Sequence, residues 1–313
     1  MKYAVQKIVS FVMTLCLVSF LVFAAFAVIP GDPALSKLGT DATPSQLAAL
    51  REEMGLNRPL LVRFADWAVS FVQGDMGTSY SYDRPVSGMI LDKLPITLTL
   101  AVMAFLLTIM IAVPLGIYAA RHEGGKVDYL IYCINQVTMA VPPFFLGILM
   151  TFFFGLVLKW FTPGGYVSYQ TDVPGFVRYL FFPALAIALP KAAMALKLLR
   201  SSVIHETRQD YARTAYSRGN NTNQVLYRHI LKNALIPVVT FLGMALADMI
   251  AGSIIIEQVF SIPGLGRILM TSISGRDYPV VQAIIVWIAV LVLVVNLIVD
   301  LVYRIIDPRI RME

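Results

Sequence analysis

Six long apolar runs alternate with polar stretches along the chain: Ile8–Ile29, Ile96–Ala120, Tyr129–Leu158, Phe181–Leu199, Ile236–Ile256 and Val280–Val302. Each is close to or above the roughly 20 residues that a helix rising 1.5 Å per residue needs to cross a ~30 Å hydrocarbon core. Neither the two-residue period of a half-buried strand nor the 3.6-residue period of a soluble amphipathic helix organises these runs. The pattern predicts an all-α membrane protein with six transmembrane helices. Pro30-Gly31-Asp32-Pro33 stops the first run. Lys2, Lys7 and Ala25-Phe26-Ala27 give that run some features of a signal peptide, but it exceeds a cleaved apolar core of about 7–15 residues, so it reads as a retained span. Pro114, Pro142-Pro143 and Pro190 interrupt later runs. Such prolines act either as simple kinks or as the breaks of discontinuous helices that line a pathway.

The polar stretches divide the chain into an N-terminal span (1–29), a helical segment (30–94) and a five-helix core (95–313) with a large polar loop at 200–235. In the 30–94 segment, Thr43-Pro44-Ser45-Gln46 predicts an N-cap, a proline in the first turn and a capping-box glutamine. Leu47, Leu50 and Met54 then share a face, and Gly55 closes that helix. A second helix is expected from near Pro59 to Gly74, carrying Phe64, Trp67, Ala68 and Phe71, and a third from Pro85 toward Pro95. Such amphipathic pieces suit either the membrane surface or a cap on the outer mouth.

Charge orients these pieces. Six spans put both termini on one side, and about half of the 25 Lys and Arg residues lie in the loops of that side. The short-loop bias therefore assigns both termini and the 200–235 loop to the cytoplasm and the 30–94 segment to the outside. Composition agrees, with 58% hydrophobic and only 14% charged residues and a mean hydropathy of +0.73; a soluble domain carries nearer a quarter charged residues. The net charge of +6 comes from basic residues that bracket apolar runs, not from a patch interleaved with aromatics, which argues against nucleic acid as a partner. Cys16 and Cys133 each sit inside an apolar run and read as small buried hydrophobes.

The 200–235 loop is too well patterned for a plain linker, although a solvated connector is the simplest alternative. Asp210 to Arg218 predicts a short helix stopped by Gly219 and Asn220-Asn221. Thr222 is placed to cap a second helix through Asn233, with Val225, Leu226, Ile230 and Leu231 on one side.

Asp210-Tyr211-Ala212-Arg213-Thr214-Ala215 with Gly219, followed by Arg228-His229-Ile230-Leu231-Lys232-Asn233-Ala234-Leu235-Ile236-Pro237, closely resembles the EAA loop of binding-protein-dependent ABC importer permeases, in the version of the dipeptide/oligopeptide/nickel branch. Further matches to that family are Gly31-Asp32-Pro33, Gly74-Asp75-Met76-Gly77-Thr78-Ser79, Arg84-Pro85-Val86 and Leu94-Pro95-Ile96-Thr97-Leu98. Pro263-Gly264-Leu265-Gly266-Arg267, Arg276-Asp277-Tyr278-Pro279-Val280-Val281-Gln282 and Asp307-Pro308-Arg309-Ile310-Arg311 follow in order, so the resemblance covers nearly the whole chain.

The resemblance implies a permease subunit in a bacterial inner membrane. Its expected partners are a second homologous permease, two cytoplasmic ATPase subunits, an extracytoplasmic substrate-binding protein and membrane lipids. It also implies that Tyr211, Arg213, Thr214, Ala215 and Gly219 belong to a coupling helix seated in the ATPase. The general motif begins Glu-Ala-Ala where this chain has Arg213-Thr214-Ala215, so a glutamate-based salt bridge to the ATPase does not carry over. Ala215 is expected at the docking surface, where a bulky side chain would hold the subunits apart.

No phosphate-binding loop is present; Gly124-Gly125-Lys126-Val127 lacks the first glycine and the hydroxyl. His-Glu-x-x-His, Cys-x-x-Cys and serine-elbow patterns are also missing, and His122, His205 and His229 are isolated. The chain is therefore expected to bind no cofactor and to leave ATP and Mg to the partner ATPases.

Lys191, Asp248 and Glu257 are ionisable groups in or near spans, each costing at least ~2.5 kcal/mol at the bilayer centre unless compensated. They are candidates for the translocation pathway, with snorkelling or helix–helix hydrogen bonding as the plainer alternative. Asp248 would suit a cationic substrate group such as a peptide ammonium or a metal complex. Asp300, near a later span end, is a weaker candidate. Di- or oligopeptides lead as substrate, with nickel or another chelated metal and glutathione as alternatives. A secondary transporter would show acidic relays and repeated halves, and an intramembrane enzyme a nucleophile–base or metal-ligand spacing; neither pattern is visible.

Overall fold

The computed structural model describes residues 2–28, 33–39 and 42–306. Gly31-Asp32, the Asp307–Arg311 motif and the Asp300 side chain lie outside the described residues. In chain order the helices are α1 (Lys2–Val28), α2 (Pro33–Leu38), α3 (Pro44–Glu53), α4 (Leu60–Val72), α5 (Val86–Arg121), α6 (Lys126–Ala140) and α7 (Pro143–Met150). They continue as α8 (Val173–Thr207), α9 (Asp210–Ser217), α10 (Thr222–Val225), α11 (Leu231–Val259), α12 (Leu265–Ser274) and α13 (Tyr278–Ile306). Wider π-type turns follow α7 at Thr151–Val157 and join α10 to α11 at Leu226–Ile230. Among the described residues the β-structure is one isolated bridge, Thr78–Pro85.

Among the described residues five helices are long and apolar enough to cross a membrane, and the bent pair α6–α7 makes a sixth span if counted as one. The run Tyr129–Leu158, which Pro142-Pro143 interrupts, is broken by 102° between Ala140 and Pro143, a true break and not a simple kink. The residue before a proline is driven out of the helical region. Two consecutive prolines therefore hold both Val141 (φ −90°, ψ 123°) and Pro142 (φ −62°, ψ 144°) in extended backbone. Pro114, Pro183, Pro190 and Pro237 are absorbed within continuous helices.

Two compact units make up the chain: Met1–Thr97 with Pro263–Leu293, and Leu98–Ile262 with Val294–Glu313. In the first, Thr43 caps α3 and forms the expected capping box with Gln46. Phe20 and Phe23 of α1 pack edge-on against Phe64 of α4. The helix expected from Pro85 toward Pro95 does not stop there. It is the first part of α5, which passes through the expected 94/95 boundary without interruption. A proline inside a helix forfeits one backbone bond, a loss tolerated where neighbouring helices and local adjustments satisfy the freed groups. In the same unit the fully buried Asp277 accepts hydrogen bonds from the Ser79 hydroxyl and from the backbone N–H groups of Tyr80 and Ser81.

The second unit is centred on α8 and α11, which pack along each other, with α6 and α7 against α8. Small residues make this close approach feasible: Ala184, Ala186, Ala188, Ala192, Ala193 and Ala195 are buried on α8. Small side chains let backbones approach where no hydrophobic effect drives helices together. Gly243 of α11 shows the limit, since a Cβ there would lie 2.2 Å from a methyl of Val299. Polar side chains add bonds between helices. Asn135 of α6 donates to the Ala193 carbonyl at 2.9 Å, and the buried Tyr179 hydroxyl of α8 donates to the Phe260 carbonyl at 2.6 Å.

Candidate functional site

The polar segment 200–235 is mostly helix. α8 runs on to Thr207, so its last turns project beyond the apolar stretch, and α9 follows after a two-residue turn. Gly219 ends α9 as expected: its φ is +86°, and its N–H reaches the Tyr216 carbonyl at 2.9 Å. The left-handed region is open to glycine at no steric cost. Asn220 Nδ2 donates to the Ala215 carbonyl at 3.0 Å and closes the turn.

The next helix differs from expectation at both ends. Asn221, not Thr222, is its N-cap, in a capping box with Gln224, and the helix does not stop at Asn233 but runs through the π turn into α11. Leu226, Ile230 and Ala234 are buried, so packing along one side carries the helix past the polar residues between them.

The short helix α9 has two distinct faces. Ala212 and Ala215 are buried and join Val225, Leu226, Ile230 and Ala234 in a core that also holds Ala192, Leu196, Leu199 and Val203 of α8. Tyr211, Arg213, Thr214, Tyr216, Ser217 and Arg218 are exposed. Ala215 was expected at the docking surface; at 5% exposure it is instead part of the chain's own core. The reason is phase: residues 212 and 215 lie three apart and share the inward side of the helix.

Ion pairs and hydrogen bonds hold this segment in place. Tyr211 donates to Glu206 Oε2 at 2.5 Å, and Arg208 pairs with Glu123 at 2.9 Å. Burial raises the Tyr211 phenol above its ordinary value, and the bond to Glu206 adds to that shift. Deeper, Arg200 grips Asp128 with two bonds of 2.6 Å, and Gly124 N–H donates to the same carboxylate at 3.0 Å. The sequence reading missed the Arg200–Asp128 and Arg208–Glu123 pairs. Their one sequence signal is that all four residues lie in the polar loops assigned to the same side of the membrane.

Lys191 of α8 and Asp248 of α11, two separate pathway candidates in the sequence, are brought together: Nζ lies 2.8 Å from Oδ2. Both fall near the middle of their apolar runs. The Asp248 side chain is 65% exposed on this chain, in contrast to the buried acid expected for a span, and that of Lys191 is 24% exposed. On α11 the exposed residues Met244, Asp248, Ala251, Gly252 and Ile255 form one stripe. Glu257 does not join this pair. It lies two and a half turns from Asp248, on the opposite face, and is fully buried.

Helices of this length and apolarity, with one ion pair at mid-depth among the described residues, define a multi-pass membrane protein. Residues 112–312 match the family described as binding-protein-dependent transport system inner membrane component, and residues 1–101 match the family described as "Binding-prot-dependent transport system membrane comp, N-term". A "Probable peptide ABC transporter permease protein" of Sinorhizobium fredii is 35% identical over 309 residues, covering 99% of both chains. An oligopeptide transport system permease protein of Bacillus subtilis is 36% identical over 311 residues, covering 98% of both. The chain therefore belongs to the family of inner membrane components of binding-protein-dependent transport systems. It is a multi-pass permease subunit of an ABC importer, a machine that also requires an ATPase and a substrate-binding protein.

Proposed function

We propose that this chain forms half of the membrane pathway of a peptide importer and that α9 is the helix through which ATP hydrolysis drives it. The complete importer in this reading contains a second, homologous permease, two cytoplasmic ATPase subunits and an extracytoplasmic binding protein. ATP and Mg belong to the ATPases, and this chain binds no cofactor. Peptide is the substrate class in the descriptions of the relatives. Both termini and the 200–235 segment face the cytoplasm and the 30–94 segment faces outward, on the Lys and Arg asymmetry across the spans.

The observation that carries the coupling role is the continuity of one core. The buried face of α9 packs with the same residues that hold α8 and α11 together, up to Ala192 beside Lys191 and to Leu242 on α11. A helix so embedded cannot be displaced without moving the two helices that carry the ion pair, because packed interiors transmit strain. Arg213 and Thr214, with Tyr211 at the edge, form the surface available to an ATPase, while Ala215 and Gly219 set the shape behind it.

Gly219→Val tests this in the assembled importer. No atom lies within 4 Å of the Cβ that would be added, so the cost is backbone strain alone, about 1 kcal/mol or more. The variant should insert and fold yet lose most of the substrate-stimulated ATP hydrolysis. Wild-type stimulation and transport would reduce the segment to a connector.

A further inference from the structure

Asp248 occupies an unusual position for a carboxylate. It lies at mid-depth on a span, 65% exposed on the open face of this chain, with one oxygen held by Lys191 Nζ at 2.8 Å. Among the described residues Oδ1 has no recorded partner, and an ionised carboxylate can accept about four hydrogen bonds. Lys191 also has spare capacity, since an ammonium carries three N–H donors. The residues along the stripe on either side are apolar or small: Met244, Ala251, Gly252 and Ile255 on α11, with Met194 nearby on α8. Facing lipid, this carboxylate would be strongly unfavourable, so the stripe must face protein or water. If its only task were to neutralise Lys191, burial with full hydrogen bonding would serve better than an open face.

Building on the pathway reading above, we propose that Asp248 is the subsite that receives a substrate's primary ammonium, and that Lys191 is a tethered stand-in which occupies it between substrates. Lys191 presents the same chemical group, an alkyl ammonium, as a peptide N-terminus. An arriving ammonium takes the free Oδ1 first and then shares or displaces Lys191 at Oδ2. The carboxylate is never left bare at mid-membrane. Selectivity then follows from pairing an ammonium with a fixed acid, while the apolar stripe tolerates varied side chains.

The test uses the complete importer in proteoliposomes with its binding protein loaded with a free-amino dipeptide. Uptake is compared for Asp248→Asn, Lys191→Met and the neutral double variant, with co-purification of all subunits and basal ATP hydrolysis as controls for folding. A hydrogen bond to a charged group is worth about 1.5–3 kcal/mol, so Asp248→Asn should slow uptake about tenfold or more. The double variant should stay equally slow, because the missing acid is the cause. Lys191→Met should also slow uptake, but less than Asp248→Asn, since the acid that receives the substrate ammonium remains and only its resting partner is lost.

If the double variant recovers wild-type uptake while Asp248→Asn alone is slow, the pair only balances its own charge. The ammonium subsite is then wrong, though the pair still borders the pathway. If all three variants transport at the wild-type rate, the subsite and the pathway assignment of these residues both fall.

Discussion

Ser79 donates its hydroxyl proton to Oδ2 of Asp277, a residue 198 positions further along the chain. Both are buried, and the carboxylate also accepts the backbone N–H groups of Tyr80 at 3.0 Å and Ser81 at 3.2 Å. Tyr82 N–H turns back to the Ser79 Oγ at 3.0 Å, so the loop from 79 to 82 folds around one acid. Two motifs read separately in the sequence are thereby a single structural element.

Asp277→Ala would leave three donors without their acceptor, each costing about 1–3 kcal/mol when buried. The expected outcome is faster chymotryptic cleavage after the exposed Tyr82 in the purified protein, with Asp277→Asn intermediate because the amide keeps one acceptor oxygen. Unchanged protection in the alanine variant would show that the loop is held by other contacts.

The phenol of Tyr80 gives a pH handle on the same loop. Burial and then the nearby Asp277 raise its pKa from 10.0 to about 12. The folded loop therefore favours the neutral phenol. Its contribution to stability is complete below pH 10 and is lost as the pH rises from 10 toward 12. Phenolate absorbance of the parent minus that of Tyr80→Phe should show one group titrating near the upper value. A group titrating near 10 would contradict the geometry.

Ala215 and Thr214 are neighbours with opposite surroundings, one buried in the core and the other exposed. Ala215→Trp overpacks that core at about 1–3 kcal/mol or more and should lower thermal stability even without the ATPase. Thr214→Trp should leave stability within about 0.5 kcal/mol and instead weaken ATPase co-purification. Equal thermal stability of the two variants would overturn this division.

Asp128 is 7% exposed while Arg200 holds it through a two-pronged bond. Arg200→Ala leaves an acid buried without its partner and should cost about 3–5 kcal/mol, whereas replacing both residues by leucines of the core type should restore much of the loss. Thermal unfolding of the single and double variants decides it; a double variant as unstable as the single one would mean that Arg200 acts through other contacts.

Topology can be read with thiols. In a background lacking Cys16 and Cys133, a membrane-impermeant reagent on intact cells should label Ser45→Cys and miss Asn221→Cys; both positions are exposed. The reverse pattern would invert the orientation.

The sequence alone determined the helical class, the number and place of the apolar runs, the capping of α3 and the stop at Gly219. These depend on local rules: run length against bilayer thickness, a cap three residues from its acceptor, a glycine where φ must be positive. It also carried the family, because ordered motifs survive without knowledge of their contacts. Only the tertiary structure decided that Pro142-Pro143 turns the chain by 102° while Pro95 is passed over, since the cost of a proline depends on what surrounds it. In the same way it turned Ala215 inward, set Glu257 opposite Asp248, and joined Lys191 to an acid 57 residues away. Pairings across such separations depend on how α8 and α11 lie against each other, and their small residues fix that through close packing, which no pattern along one strand of sequence encodes.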